Sequence, residues 1–233
     1  EMIQAKKVRY NKKDATIGQV VKHADLIEIE GRVLKVNLSE QEQTQVLIMN
    51  KPLGVICSMI DDKNRKTIYD LLPKGDGKKW VMVGRLDVNT SGLILFTTSG
   101  DLANQLMHPS SELSRVYHVR VFGEDHQSAA MKLKKSVVID GEKMSFKRCE
   151  MLKGEGDKIN TWYEVEVKTG QYRMIRRMWE SQGLKISRLV RVAYGKVKLP
   201  KGLRIGESRM LTEGEVSALV GEIKSKCRQQ KER

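Results

Sequence analysis

The sequence predicts an α+β protein, and three observations carry that reading. Runs of strand length, rich in β-branched and aromatic residues, recur along the 233-residue chain. Few segments hold a helical apolar period for more than two or three turns. Strand and helix patterns do not alternate as a βαβ series, so a doubly wound parallel sheet is not expected. At 233 residues and 39% hydrophobic content, the chain has material for one large or two smaller domains.

Residues 1–37 read as a small unit. Lys7 to Asn11 and Asp25 to Ile29 have strand character, with a turn at Asn11 to Asp14 and another at Gly31-Arg32. Residues 38–45, LSEQEQTQ, are polar and aperiodic, which predicts a linker. Val46 to Asn50 is a strand, and Pro52 and Gly54 force a turn after it. Val55 to Ser58 reads as a further strand, followed by a basic tip at Lys63 to Lys66. A short helical run from Ile68 to Leu72 is closed by Pro73.

The stretch WVMVGRLDVNTSGLILFTTSG, from Trp80 to Gly100, reads as strand, turn, strand. The turn between its apolar runs holds Arg85 and Asp87. A carboxylate on a loop held by rigid strands is a frequent carrier of chemistry. Two plainer readings stay open at this stage: an Asp that bonds its own turn, or one that pairs with a nearby Arg.

Gly100 to Met107 fits a helix ended by His108-Pro109. Ser114 to Phe122 alternates as a strand, with Tyr117, Val119 and Val121 on one face. Glu124 to Lys134 follows as a helix, then Glu142 to Leu152 and Trp162 to Val167 as strands. A helix from Tyr172 to Gln182 turns Ile175, Met178 and Trp179 inward. Arg173, Arg176 and Arg177 flank that stripe near the positive end of the helix dipole, where cations are unfavourable unless anions face them. Lys185 to Lys198 reads as one or two strands. Thr212 to Glu215 is a capping box for a last helix reaching Lys226, and residues 227–233 form a basic tail expected to fray.

Charge narrows the partners. The formal net charge is +14, and from Lys168 to Arg204 eleven Lys and Arg face one acid, Glu180. Such clustering favours a nucleic-acid surface with salt-dependent affinity over a merely solvated face. No helix-turn-helix or zinc pattern points to DNA, and no apolar run is long enough to span a membrane. Cys57, Cys149 and Cys227 form neither a disulfide framework nor a metal pattern, and His23, His108, His118 and His126 lack ligand spacing. A reducing cytosol and no metal are therefore expected. No P-loop, dinucleotide fingerprint or GxSxG elbow occurs. The start, EMIQAKKVRY, has no signal-peptide pattern; because it opens on Glu1 rather than Met, a preceding segment is expected to be missing.

GRLDVNTSGLILFTTSGDLANQLMHPS resembles the signature of the ribosomal RNA pseudouridine synthases, in the branch holding small-subunit synthase A and large-subunit synthases B, E and F. NKPLG at Asn50 to Gly54, RVYHVRVFG at Arg115 to Gly123 and GQYRMIRRMWESQG at Gly170 to Gly183 fall in the order of that family. KKVRYNKKDATIGQVVKHADLIEIEGRVL resembles the second half of an S4 RNA-binding domain, the helical first half being absent. The resemblance implies a mixed, largely antiparallel central sheet flanked by helices, a partial S4-like unit over residues 1–37, and a catalytic domain over residues 46–226. It implies isomerisation of a uridine in ribosomal RNA, 23S being favoured, with no cofactor, by a cytosolic enzyme expected to be a monomer. The alternative is a non-catalytic RNA-binding or ribosome-assembly factor of the same fold. By motif match Asp87 is the essential carboxylate, Tyr117 stacks on the uracil and handles a proton, and Arg176 pairs with Asp87. Lys51, which supports the cleft, Arg85, Arg173, Arg177, Arg188 and Arg191 are the expected RNA-contacting side chains. One departure stands out: close relatives carry Asn-Arg-Gln where this chain has Tyr172-Arg173-Met174.

Overall fold

The computed structural model describes residues 2–19, 21, 25–35, 44–59, 65–73, 77–156 and 159–231. The expected linker at 38–45 falls almost entirely outside these residues. Two compact units are present, residues 1–44 and 45–233.

The first unit is a four-stranded antiparallel sheet. Its strands are β1 (Val8–Tyr10), β2 (Lys13–Asp14), β3 (Leu26–Ile29) and β4 (Arg32–Lys35), in the order β2-β1-β3-β4. Asn11 has a positive φ, and its side chain accepts from the Leu26 amide while donating to Asp25, which pins the first turn to β3. Lys7 pairs with Glu30 and Arg9 with Glu28 across the sheet, all partly solvated.

The second unit is built on a nine-stranded sheet. β5 (Val46–Lys51) and β7 (Ser91–Thr97) lie side by side, with β15 (Ser208–Met210) beyond β5 at the edge. On the other side of β7 lie β6 (Val81–Val83) and β13 (Lys185–Tyr194), and β13 carries the short β14 (Val197–Lys198). The sheet continues through β8 (Arg115–Phe122) and β12 (Asn160–Val167) to β11 (Arg148–Gly156). Every pairing is antiparallel except β13 with β7, so the sheet is mixed and largely antiparallel. The last strand, β15, carries too few apolar residues to signal itself and is defined by pairing with β5 alone.

The strand patterns follow from what covers each face. β5 and β7 are buried on both sides, and they read as continuous apolar runs. Leu47, Met49, Ile94 and Phe96 face one core with Trp179; Val46, Ile48, Leu93 and Leu95 face the other. Helices α1 (Gly100–Met107) and α4 (Glu213–Lys231) close the second core with Leu102, Leu106, Leu219 and Ile223. Helices α2 (His126–Lys134) and α3 (Met174–Glu180) close the first, along with Ile68 from a 3₁₀ turn. β12 is packed on one face only, and its burial alternates residue by residue.

Three elements differ from the sequence reading. Val55 to Ser58 is not a strand: Ile56 makes one isolated bridge to Thr67, and Val55 and Cys57 serve as core packing. The single strand expected from Glu142 is interrupted. β9 (Val137–Ile139) and β10 (Glu142–Met144) form a hairpin, and β11 starts afresh at Arg148. The last helix continues to Lys231, through the first residues of the segment expected to fray. None of the described helices is long and apolar enough to cross a membrane.

Candidate active site

The loop Gly84 to Thr90 joins β6 to β7, and it is fixed from below. Lys51, at the end of β5, is fully buried at 0% exposure. Its ammonium donates to the carbonyls of Pro52 (3.0 Å), Asp87 (3.3 Å) and Thr90 (2.9 Å). Burial lowers the pKa of Lys51, while Cys57 and Asp87 pull it back up. The Gly54 amide donates to the Val88 carbonyl at 2.8 Å, and the Thr90 amide to Asp87 O at 3.0 Å, closing the turn. Lys51 is thus no RNA contact. A cation inside a core must satisfy its three donors, and here the loop carbonyls do so.

Gly92 allows the loop to sit where it does. Its φ is +99°, and a Cβ there would lie 2.3 Å from the Arg191 carbonyl. Only glycine lets β7 approach β13 this closely at the parallel seam. The seam brings the Asp87 loop against the C-terminal half of the chain.

Arg176 holds the loop as well, from the C-terminal half of the chain. It is buried on α3 and donates to the carbonyls of Asn89 (2.8 Å) and Ile186 (3.2 Å). The expected Arg176–Asp87 ion pair is corrected by this geometry. The Arg176 side chain is drawn among buried carbonyls that need donors, and it clamps the loop backbone instead. Burial, then Arg173, lowers the Arg176 pKa, and Asp87 and Glu180 oppose that shift. The ion pair to Asp87 is made by Arg173, at 3.8 Å between Nη1 and Oδ2. Arg173 occupies the N-cap of α3 with φ 47°, a left-handed conformation costly for a side chain of this size. The long separation and partial exposure make this a weak pair that a substrate group can displace.

Asp87, with its side chain 34% exposed, borders a cleft of about 780 Å³. Tyr117, from β8, forms part of the wall, and its hydroxyl has no protein partner among the described residues. Leu189 and Ile175 add apolar surface, and Arg85 stands exposed at the edge without a described partner. Three cleft residues were missed by sequence reasoning. Cys57 lies by the loop, where its sulfur accepts from the Leu86 amide, and burial raises its pKa. Arg115 donates to the Tyr194 hydroxyl, which donates onward to the Leu106 carbonyl. Arg115 lies two residues before Tyr117 on one strand, a same-face spacing that the sequence displayed.

Two further expected RNA contacts are corrected. Arg191 is buried, donates Nε–H to the Leu93 carbonyl at 2.6 Å, and lies 5.3 Å from the Tyr194 ring centroid. Arg177 is engaged by Asp140 (2.7 Å) and Glu142 (3.1 Å) of the β9–β10 hairpin. Because α3 starts only at Met174, Arg177 falls in its last turn, where a cation suits the helix dipole, and the two acids hold it away from the cleft. Arg188 is exposed beside the other side of the Asp87 loop, near Val88 and Asn89. Among the described residues no group of three or more His, Cys, Asp or Glu gathers to hold a metal ion.

A carboxylate beside an aromatic wall and arginines suits a planar base on an anionic backbone. The model of the family described as RNA pseudouridylate synthase matches residues 45–181. The chain belongs to the pseudouridine synthase family. Its relatives include the ribosomal large subunit pseudouridine synthase B of Haemophilus influenzae, 44% identical over 88% of this chain and 57% of that protein. The synthase of the same description from Escherichia coli K12 is also 44% identical, over 88% of this chain and 70% of its own length. The chain thus spans little more than half of the Haemophilus relative. A crystal structure of a pseudouridylate synthase superposes with a TM-score of 0.63 at 29% identity, covering 94% of this chain and 90% of that one. At 18% identity and a TM-score of 0.51, a chain of an H/ACA ribonucleoprotein bound to substrate RNA shares the pseudouridine synthase fold.

Proposed function

We propose that this chain isomerises a specific uridine of 23S ribosomal RNA to pseudouridine, with Asp87 as its essential carboxylate and no cofactor. The observation that carries the reading is Asp87 itself, held on a doubly clamped loop and open to a cleft walled by Tyr117. The relatives named large subunit synthase B support the choice of ribosomal RNA. Such a substrate is met in the bacterial cytosol. A uridine within folded RNA must leave the stack to be reached, and Tyr117 supplies a ring for the flipped uracil. Asp87 then acts as nucleophile or base while the N1–C1′ bond breaks. The base turns, C5 bonds to C1′, the C5 proton is lost, and N1 takes up a proton, so the product is an isomer of the substrate. Arg173 releases Asp87 to the substrate and is free for a phosphate; Arg85 and Arg188 supply further phosphate contacts. Residues 46–226 form the catalytic domain in this reading, and residues 1–37 an S4-like RNA-binding unit acting as a second contact.

The test is tritium release from 23S ribosomal RNA labelled at uridine C5. Wild type should release tritium and Asp87→Asn should not, and equal rates would remove Asp87 from the reaction. The altered third motif favours one other reading, a non-catalytic RNA-binding factor. RNA binding by wild type without any release would support it.

A further inference from the structure

We propose that Tyr172 is a stacking platform for the nucleobase next to the target uridine, and so helps to hold the RNA with that uridine flipped out. This rests on the RNA-isomerising reading above. Tyr172 is 75% exposed, more than any other large apolar side chain among the described residues. It borders the same cleft as Asp87 and precedes Arg173, the partner of Asp87. No hydrogen bond or ring contact to a described residue engages it, so its ring is not committed within the protein.

Its backbone, by contrast, is fixed. The Met174 amide donates to the Gln171 carbonyl at 3.2 Å, which closes a turn around Tyr172, and Arg173 then caps α3. A tyrosine on such a support presents a broad face with few torsions to freeze. The two departures from the family motif therefore separate. Met174 is buried, its sulfur taking the Thr169 hydroxyl at 3.3 Å, so it is packing. Tyr172 points its chemistry at solvent, at the edge of a cleft flanked by arginines. Flipping a uridine strips its neighbour of a stacking partner. An aromatic ring at the edge of the cleft replaces that partner, and aromatic faces accept any base.

The experiment compares wild type, Tyr172→Ala and Tyr172→Phe on in vitro transcribed 23S ribosomal RNA, by filter binding and by tritium release. Tyr172→Ala should weaken binding and raise KM about ten-fold, equivalent to ~1.4 kcal/mol, with a much smaller change in kcat. Tyr172→Phe should restore both, because the ring and not the hydroxyl does the work. Abasic nucleotides placed one at a time around the modified uridine should weaken wild type at one flanking position and leave Tyr172→Ala unchanged there. Equal binding by Tyr172→Ala, failure of Phe to rescue, or equal abasic losses in both proteins would overturn the proposal. Wild type that binds but releases no tritium would sink the isomerase reading instead, while the binding comparison would still report on Tyr172.

Discussion

Replacing Lys51 by Met would test whether the Asp87 loop is held in place or merely rests there. The Met side chain keeps most of the buried stem but removes the ammonium. The Asp87 carbonyl retains the Thr90 amide as a donor, so the Pro52 and Thr90 carbonyls lose most. A buried acceptor left unpaired costs about 1–3 kcal/mol. Against this, removal of a buried charge relieves a desolvation penalty of several kcal/mol that the three bonds had offset. Two such acceptors cost about 2–6 kcal/mol and the relief is of similar size, so stability, read from the urea midpoint at unchanged slope, should move by no more than about 2 kcal/mol. The larger effect should fall on turnover. Displacing a reacting group by about 1 Å can cost about 100-fold, and kcat in tritium release should drop at least that far, at a temperature where the variant is folded. A variant that loses stability yet keeps kcat within about two-fold would show that Lys51 supports the core and does not position Asp87. A variant unchanged in both would refute the clamp altogether.

Other expectations follow from the same structure. Gly92→Ala places a Cβ 2.3 Å from the Arg191 carbonyl at φ +99°, and should cost at least ~3 kcal/mol in denaturant unfolding; a loss under ~1 kcal/mol would mean the seam can open without penalty. Arg85→Ala should lower RNA affinity and reduce the slope of log K against log salt by about 1. Arg177→Ala should leave that slope alone, because its guanidinium is held by Asp140 and Glu142. Glu215 is held at about 2, first by its bonds to Arg209 and then by the Thr212 amide, well below its ordinary 4.5. A depressed carboxylate stabilises above its unfolded value and loses that contribution as pH falls toward its folded one. Glu215→Gln should therefore cost about 0.5–1.5 kcal/mol at pH 7, as an exposed cap and ion pair do, and the gap to wild type should close between pH 4.5 and 2.

Much of the core was legible because periodicity reports burial directly. Gly100 to Met107 read as a helix ended by His108-Pro109, and the helix occupies that span. The alternation in Ser114 to Phe122 and Trp162 to Val167 marks strands covered on one face. The β9–β10 hairpin was missed although its signal was present. Asp140-Gly141 is a two-residue turn with φ of 52° and 79°, the pairing that a tight hairpin requires. At the site, motif order brought Asp87, Tyr117, Arg173 and Arg176 to one cleft. What the order could not carry was direction. Arg176 and Arg177 are adjacent, yet one is drawn under the loop and the other out to the hairpin, because α3 rotates by about 100° per residue. Lys51 and Arg191 were expected to contact RNA because single residues reveal nothing of the carbonyls that surround them.

The parallel pairing of Ser91 and Gly92 with Val190 and Arg191 has a consequence for biogenesis. These partners are about a hundred positions apart, so the ribosome must synthesise most of the chain before the seam can close. Arg176, which grips Asn89 from beneath, is likewise made late. Contacts of such range form slowly. The Asp87 loop is therefore made well before the residues that clamp it, and its final placement should be among the last features to form on refolding.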